Sequence, residues 1–217
     1  MIRETWTDFL HGYYICQSCE IVDRDKDRTL VGHTCTRCGT PSSGGYTFFD
    51  LTVGIIADLI AELYPLPNPD SLPSIGPFSD PPVSHRLAIL IFFCTLGEML
   101  LQHLLEPCVF RSGLSPKIQK SLLQDILHPL DHIEQLFPIL TGATWQQAVI
   151  AASKRAKSDF RPTVVFYNKA SKGRNQLLHL GNKMAVSPKL AKQCFTHMAP
   201  LIKLFVELYN IYIVKPL

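Results

Sequence analysis

Four cysteines near the start of the chain have the spacing of metal ligands. Cys16 and Cys19 form one C-x2-C pair, and after fifteen intervening residues Cys35 and Cys38 form a second. Each pair can close a tight turn in which two thiolates converge on one ion, and Gly39 supplies the positive φ that such a turn often needs. Two such turns complete a closed, four-coordinate site. The pattern predicts one structural zinc ion, because a catalytic zinc normally keeps an open position.

The other cysteines and nearby histidines are not needed for this site. His11 and His33 are possible substitute ligands, but four cysteines fill the site, so both histidines are expected at the surface. Cys94, Cys108 and Cys194 lie among apolar residues, where a free thiol behaves as a small hydrophobe. Seven cysteines cannot all pair within one chain. Two reduced dithiols are the alternative interpretation of the C-x2-C pairs.

A second group of polar residues lies between Lys172 and Asn182. If this segment is helical, Asn175, His179 and Asn182 recur at i, i+4 and i+7 and share one face. Arg174 would then point about 140° away from His179 around the helix axis. Only the length of the Arg174 side chain would let its guanidinium reach the same solvent space.

This polar group belongs to the most basic part of the chain. Between residues 154 and 192 the chain carries ten basic residues and one acid, Asp159, a net charge of +9, so the rest must carry −6 to give the total of +3. Such asymmetry is typical of a surface that binds a polyanion, since each neutralised phosphate releases counterions. The alternative is a solvated basic face. The basic residues are Lys154, Arg155, Lys157, Arg161, Lys169, Lys172, Arg174, Lys183, Lys189 and Lys192.

The arrangement Arg174-Asn175-(x)3-His179 resembles the R-(x)4–6-H motif of the HEPN superfamily, in which a polar residue, often Asn, follows the Arg. The surroundings are also similar, with F-x-x-L-T-G at residues 137–142 and W-Q-Q-A-V at residues 145–149 before the motif. The resemblance covers roughly residues 84–214. It does not extend to the four cysteines.

Many HEPN proteins are metal-independent endoribonucleases that dimerise so that two motifs face each other across a shared cleft. The resemblance implies that His179 transfers a proton during attack by the RNA 2′-hydroxyl, that Arg174 binds phosphate oxygens and that Asn175 orients the substrate or the motif. The residue types suit these roles, because histidine titrates near neutral pH and a forked guanidinium matches phosphorane oxygens. Lys172 and Lys183 are expected to bind RNA phosphates.

A homodimer is expected for two reasons. One chain supplies one copy of each motif residue, so an acid and base pair of histidines requires two chains. The run of residues 87–105 is also more apolar than one amphipathic helix needs. Within that run, Glu98 either holds Arg174 in place or is exposed at a helix edge.

Three functions are compatible with these features. The leading interpretation is an endoribonuclease of the toxin or defence type, with the zinc ribbon recognising substrate or docking a protein, and an antitoxin or another protein as a possible partner. The second is a non-catalytic adaptor whose helical domain dimerises and which binds nucleic acid or a protein. The third is a nucleotide-binding domain that partners a nucleotidyltransferase.

The elements that must position these residues are predicted from apolar periodicity and caps. The predicted fold is mainly α, an antiparallel, HEPN-like helical bundle preceded by a small zinc ribbon. Residues 1–48 form the ribbon, 49–83 a helix and a Pro-rich linker, and 84–217 the helical domain. Helices are predicted over residues 49–64, from Ser84 to about 106, from Ser115 to about 142 with a break near Pro129, from Thr144 through 157 behind a T-x-x-Q capping box, over about 163–180, and from Ser187 to about 214.

Composition excludes several classes of protein. Apolar residues make up 47% of the chain and charged residues 18%, which is enough to bury a core and too apolar for a disordered chain. The first residues lack the pattern of a secretory signal, so we expect a cytoplasmic protein. A membrane span needs about 20 consecutive apolar residues. Glu98, Gln102 and His103 interrupt the run 87–105, so we expect a buried core or interface helix and no membrane partner.

Overall fold

Two short β-hairpins and a set of helices make up the fold, which is mainly α. The computed structural model describes residues 5–25, 31–43, 47–64, 82–124, 132–181 and 186–214. The strands are β1 (Tyr13–Ile15), β2 (Val22–Arg24), β3 (Val31–Thr34) and β4 (Pro41–Ser43). The helices are α1 (Trp6–His11), α2 (Leu51–Leu63), α3 (Val83–Arg111), α4 (Pro116–Gln124), a π-helical turn (His132–Leu136), α5 (Phe137–Thr141), α6 (Trp145–Ala156), α7 (Arg161–Leu180) and α8 (Pro188–Tyr212).

The hairpins carry the cysteine pairs at their turns. Strands β1 and β2 pair antiparallel with Ile15 opposite Val22, so that Cys16 and Cys19 lie in the turn between them. Strands β3 and β4 pair antiparallel with Thr34 opposite Pro41, which places Cys35 and Cys38 in the second turn. Strands of three or four residues are marginal alone, so each hairpin needs its neighbours and its turn to stay ordered.

Helices α1 and α2 pack against each other beside the longer helices. The Asp58 carboxylate of α2 accepts hydrogen bonds from the backbone N–H groups of Trp6 and Thr7, the latter at 3.1 Å. It thereby caps the first turn of α1, whose N–H groups have no partner within the helix. Gly54 permits the close approach, because a Cβ there would lie 2.8 Å from the Thr7 hydroxyl oxygen. The prediction of a helix over residues 49–64 is confirmed by α2, whereas α1 was not predicted.

Helix α3 is the central element of the core. By length and composition it is the one described helix that could cross a membrane, but half of its most apolar window is buried within the protein. It packs against α2, α7 and α8, so its apolar surface is covered largely by its own chain. Gly97 lies where Tyr167 of α7 crosses, and a Cβ at this position would lie 2.2 Å from the Tyr167 ring. A glycine is therefore needed for this close helix contact.

The observed caps of α6 and α8 agree with the caps predicted from the sequence. Thr144 and Gln147 form the capping box at the start of α6, and each side chain bonds the backbone of the other residue. The Ser187 hydroxyl accepts a hydrogen bond from the N–H of Leu190 at the start of α8. The predicted helices over 144–157, 163–180 and 187–214 are confirmed within a few residues. Ser84, in contrast, does not cap α3, which begins one residue earlier without a side-chain cap.

Two described stretches fall within the predicted helix from Ser115 to about 142. Helix α4 covers its first part, and the π-helical turn continuing into α5 covers its last part. The expected break near Pro129 lies outside the described residues, as does the Pro-rich segment 65–81. Helix α5 ends at Gly142, whose φ of 73° is the left-handed conformation common at helix C-termini.

Candidate functional site

The four cysteine sulfurs converge on one point. Cys16 Sγ lies 3.7 Å from Cys38 Sγ, and Cys19 Sγ lies 3.7 Å from Cys35 Sγ. All four ligand atoms lie within 4.8 Å of one another. Four sulfurs at about 2.3 Å from a tetrahedral zinc would be about 3.8 Å apart, so the cluster has the dimensions of such a site. In the part of the chain that the structure describes, this is the group of side chains arranged to hold a metal ion.

The two turns share one backbone design. The N–H of Glu20 donates to the carbonyl of Cys16 at 2.8 Å, and the N–H of Gly39 donates to the carbonyl of Cys35 at 3.0 Å. Both residues have positive φ, 59° at Glu20 and 71° at Gly39. The sequence prediction for Gly39 is confirmed. Glu20 adopts the same conformation despite its Cβ, which a non-glycine residue does only at an energetic cost.

Burial disfavours the thiolate forms of Cys19 and Cys35. Cys16, Cys19 and Cys35 are buried. Burial raises the pKa of Cys19 to about 12 and also raises the pKa of Cys35. Hydrogen bonds from the hydroxyl and backbone of Thr40 lower the pKa of Cys38 to about 6. Thiolates in this setting are stable when a divalent cation replaces their protons, so metal binding and proton release are coupled here.

His33 does not join the sulfur cluster. Its Nδ1 lies 3.5 Å from Asp25 Oδ1 and its Nε2 lies 3.9 Å from Asp23 Oδ2, both on the neighbouring hairpin. Its ring also meets the Tyr14 ring edge-on, with 5.5 Å between centroids. His33 therefore links the two hairpins beside the metal ligands. His11 lies in the last turn of α1.

The cysteine hairpins are fastened to the end of the helices. The Asn210 side chain of α8 accepts from the N–H of Val22 at 2.7 Å and donates to the carbonyl of Val22 at 2.9 Å. The Asn210 side chain thus forms with β2 the two hydrogen bonds that a neighbouring strand would form. Arg111, at the end of α3, pairs with Glu20 at 3.1 Å. The Phe48 ring packs against the His103 and Tyr209 rings, each at 4.8 Å between centroids.

Arg174 points into the protein and is held there. Its Nη1 donates to Glu98 Oε1 of α3, and its Nη2 donates to Asn175 Oδ1 at 3.3 Å. The Arg174 side chain is 15% exposed. Burial acts to lower the pKa of Arg174, but the hydrogen bond and charge of Glu98 outweigh it and raise the pKa. Of the two alternatives left open for Glu98, the structure shows the contact with Arg174. The buried Nε of Arg174 has no hydrogen-bond partner among the residues described.

His179 and Lys172 lie on the opposite, solvent-exposed side of α7. Both side chains are exposed, and His179 lies in the last turn. His179 is five residues after Arg174, which is about 7.5 Å along the axis and about 140° around it. The structure therefore brings Arg174 and Asn175 together with Glu98, but it does not bring Arg174 to His179 within one chain. Lys183 and Asn182 lie outside the described residues.

Within the basic segment, residues 154–192, the arginines and the lysines differ in whether they form ion pairs. Each of its arginines is paired: Arg155 with Glu207 of α8 at 2.8 Å, Arg161 with Asp159 at 2.8 Å, and Arg174 with Glu98. Its lysines in the described part of the chain are exposed, and none forms an ion pair with a described residue. The positive charges of this segment that remain available to bind a polyanion are therefore those of its lysines. These lysines are Lys154, Lys157, Lys169, Lys172, Lys189 and Lys192.

One surface feature was missed by sequence reasoning. A groove of about 430 Å³ lies where α6 ends and α7 begins, and Lys154, Lys157 and Arg161 contribute to its lining. It depends on the sharp connection between the helices, where Lys157 has a left-handed conformation. The three cations were visible in the sequence, but their position around one groove was not.

Comparisons with known proteins add no relative to these observations. No protein family, no curated protein and no solved structure was found to match the chain significantly. Neither a family nor a function therefore follows from similarity, and what this protein does must follow from the placement of its own residues.

Proposed function

We propose that this protein is a metal-independent endoribonuclease of the HEPN type, which acts as a homodimer in the cytoplasm in a toxin or defence role. The observation that carries the proposal is the arrangement of α7, in which Arg174 is fixed by Glu98 and Asn175 and His179 is exposed within the last two turns. A fixed guanidinium and an exposed imidazole on one helix end are the two groups that RNA cleavage by the 2′-hydroxyl requires.

The proposed chemistry assigns one task to each residue. His179 accepts the proton of the 2′-hydroxyl as its oxygen attacks the adjacent phosphorus, and solvent protonates the 5′-oxygen as its bond to phosphorus breaks, which leaves a 2′,3′-cyclic phosphate and a 5′-hydroxyl. Arg174 stabilises the charge that develops on the phosphate oxygens. Asn175 orients Arg174, and Lys172 and Lys183 bind neighbouring phosphates.

The orientation of the side chains supports a dimer. Because Arg174 and His179 leave α7 in directions about 140° apart, one chain does not present both to a single phosphate. In the proposed dimer, the His179 of one chain acts beside the Arg174 of the other, and Arg174 must turn from Glu98 toward the shared cleft to meet the phosphate. In this arrangement each complete site takes residues from both chains, and the two-fold axis gives two equivalent sites.

The cysteine cluster is proposed to hold zinc as a structural ion. Four cysteines in a closed tetrahedral arrangement are typical of structural zinc, and the two C-x2-C hairpins are those of a zinc ribbon. Because Asn210 and Arg111 fasten the hairpins to the helices, the ribbon has a fixed position on the helical part of the chain. We propose that it recognises RNA or docks a protein such as an antitoxin.

A second function, a non-catalytic adaptor, is favoured by one specific observation. The Arg174 guanidinium is largely buried and already pairs with Glu98, as an ion pair that serves stability alone would be. In an adaptor, the helices dimerise, the exposed lysines bind nucleic acid and no RNA is cut. The two proposals therefore differ in catalysis and agree on zinc, dimerisation and RNA affinity.

Cleavage of RNA by purified protein in EDTA separates them. The endoribonuclease should produce 2′,3′-cyclic phosphate and 5′-hydroxyl ends, and His179→Ala should lower the rate by about 10²–10⁴-fold. Gln146→Ala is the control, since Gln146 is exposed near the start of α6 and has no proposed role. Zinc content measured after incubation shows whether the ribbon survived the chelator. Products with 3′-hydroxyl ends, or cleavage that requires magnesium, would contradict the proposed mechanism, and a wild-type dimer that binds RNA without cutting it would identify the adaptor.

A further inference from the structure

The groove between α6 and α7 has a mainly apolar lining, and four of the residues that form it are charged. Lys154, Lys157 and Arg161 contribute three positive charges to its lining, and Asp159 contributes one negative charge. Asp159 forms two hydrogen bonds to the Arg161 guanidinium, at 2.9 Å and 2.8 Å. The acid is therefore occupied by Arg161, and the two lysine ammonium groups remain unpaired within the described chain.

Lys157 is maintained at a backbone position that suits glycine better. Its φ of 50° and ψ of 39° are left-handed at the C-terminus of α6, where glycine is the preferred residue. The comparable helix ends at Gly142 and Gly181 do have glycine. A lysine in this conformation costs stability, and such strain is often found where a side chain has a function. Lys157 contributes to the lining of the groove, and a glycine at this position would carry no charge.

The groove and His179 are joined by one face of α7. At about 100° per residue, the residues of this face fall within an arc of about 80°, and all of them are exposed. The face extends from Arg161, in the groove, to His179, eighteen residues and about 27 Å further along the helix. Its members are Arg161, Val165, Lys169, Lys172, Gln176 and His179.

We propose that the groove between α6 and α7 binds phosphates of the RNA strand away from the cut, and that the strand follows the exposed face of α7 between the groove and His179. This inference rests on the proposed function for the position of the cut, but RNA binding in the groove can be measured without cleavage. Lys154 and Lys157 each bind a phosphate oxygen as point charges. The apolar part of the groove, which includes Ile150, contacts sugar or base.

Binding to an uncleavable RNA tests the groove directly. The probe is a fluorescent single strand of about twelve nucleotides with 2′-O-methyl groups throughout, and its anisotropy reports binding. For Lys154→Ala/Lys157→Ala, loss of two phosphate contacts should reduce the slope of log K against log salt by about 1.4. Raising salt from 50 to 200 mM should then weaken wild-type binding about sevenfold more than that of the variant. Lys117→Ala/Lys120→Ala on α4, also exposed lysines, is the control for charge alone. Equal slopes for the two double variants would overturn the proposal.

Lys157→Gly separates function from folding. Because glycine relieves the left-handed conformation, this variant should be more stable than wild type to denaturant and yet bind the probe more weakly. RNA binding equal to that of wild type would overturn the role of Lys157.

Cleavage of a dinucleotide tests the distance between groove and cut. A dinucleotide cannot span about 27 Å, so its cleavage rate should be the same in wild type and in the Lys154→Ala/Lys157→Ala variant, while cleavage of the longer strand slows. A rate loss on the dinucleotide would place these lysines at the cut and overturn the proposed path. If wild type cleaves nothing, the proposed function fails, whereas the binding result still decides on the groove.

Discussion

The cysteine hairpins and the end of α7 assemble their polar residues in opposite ways. In the hairpins, four sulfurs from two turns meet within 4.8 Å inside one chain. On α7, Arg174 faces the core and pairs with Glu98, while His179 faces solvent. The first group is complete in one chain. The second group is divided between the inside and the outside of one helix, which is the reason that we infer a second chain.

The difference shows what residue spacing can determine. A C-x2-C turn brings its two sulfurs together through local backbone geometry, and burial then favours a cation among them. The spacing of Arg174 and His179 instead fixes their angle around a helix, and the Arg174 partner is 76 residues away in the sequence. Where a long side chain points is therefore decided by packing between α3 and α7.

Loss of one metal ligand should have the largest effect. Cys38→Ser should abolish stoichiometric metal binding and unfold the hairpins, because structural zinc supplies about 10–16 kcal/mol to small zinc modules. The helices should stay largely folded, since α3 packs against α7 and α8 away from the hairpins. Elemental analysis and amide hydrogen exchange measure the two effects. Cys108→Ser is the control, because that buried thiol lies on α3 and bonds only the Leu104 carbonyl; equal metal loss in both variants would contradict the assigned site.

A pair of glycine substitutions tests the packing that directs α7. Gly97→Ala should lower the free energy of unfolding by about 1–3 kcal/mol, because its Cβ would overlap the Tyr167 ring. Gly173→Ala is the matched case, since the nearest atom to its Cβ is 3.6 Å away, which is ordinary contact. It should raise stability by about 0.5–1 kcal/mol through helix propensity. Denaturant unfolding measures both. If the two variants shift stability in the same direction, the contact between α3 and α7 is described wrongly.

Removal of the Glu98 carboxylate tests whether Arg174 is held from α3. Glu98→Gln should destabilise the protein by about 1–3 kcal/mol, because Arg174 keeps its charge with only 15% of its side chain exposed. The double variant Glu98→Gln/Arg174→Met should lose less than the sum of the single variants. Glu106→Gln is the control on the same helix, because Glu106 pairs with Gln102 at the surface and should change stability by less than about 0.5 kcal/mol. Additive effects of the pair would mean that the contact contributes nothing.

The smallest effect is expected from pH at the junction of hairpins and helices. Burial lowers the pKa of His103, although the Phe48 carbonyl and the charges of Glu106 and Asp50 oppose this. The histidine in the unfolded chain therefore takes up a proton at a higher pH than the same histidine in the folded chain. The contribution of neutral His103 to the free energy of unfolding is lost as pH falls below about 6.5. In His103→Gln, unfolding at several pH values at constant zinc should show a weaker decline on the acid side. If the free energy of unfolding of this variant declines at acid pH as steeply as that of wild type, groups other than His103 cause the decline.

The sequence predicted the secondary-structure elements better than it predicted the tertiary contacts between them. The capping box at Thr144 and the cap at Ser187 are local signals, and both helices begin where these predict. Helix α1 was missed because its six residues are stabilised by Asp58, which is more than fifty positions away. The short strands were likewise missed, since each has only three or four residues and depends on the metal turns.

The candidate site was predicted in part for the same reason. The cluster of four cysteines followed from residue type and spacing, whereas contact between Glu98 and Arg174 was one of two alternatives that the sequence left open. The separation of Arg174 from His179 could be calculated from the helix, but the burial of the guanidinium could not. The left-handed Lys157 and the groove beside it had no sequence signal, because lysine is not the residue that such a conformation predicts.

Mixing two inactive variants tests most directly whether the site is shared between chains. Arg174→Ala and His179→Ala should each lose RNA cleavage, and an equal mixture that has exchanged chains should recover roughly a quarter of wild-type activity. Half of its dimers are mixed, and each mixed dimer has one of two sites complete. Light scattering and unfolding measurements establish that both variants are folded and dimeric. Recovery on mixing is the predicted result, whereas two folded, dimeric and inactive variants that stay inactive after exchange would contradict a site built from the Arg174 of one chain and the His179 of the other.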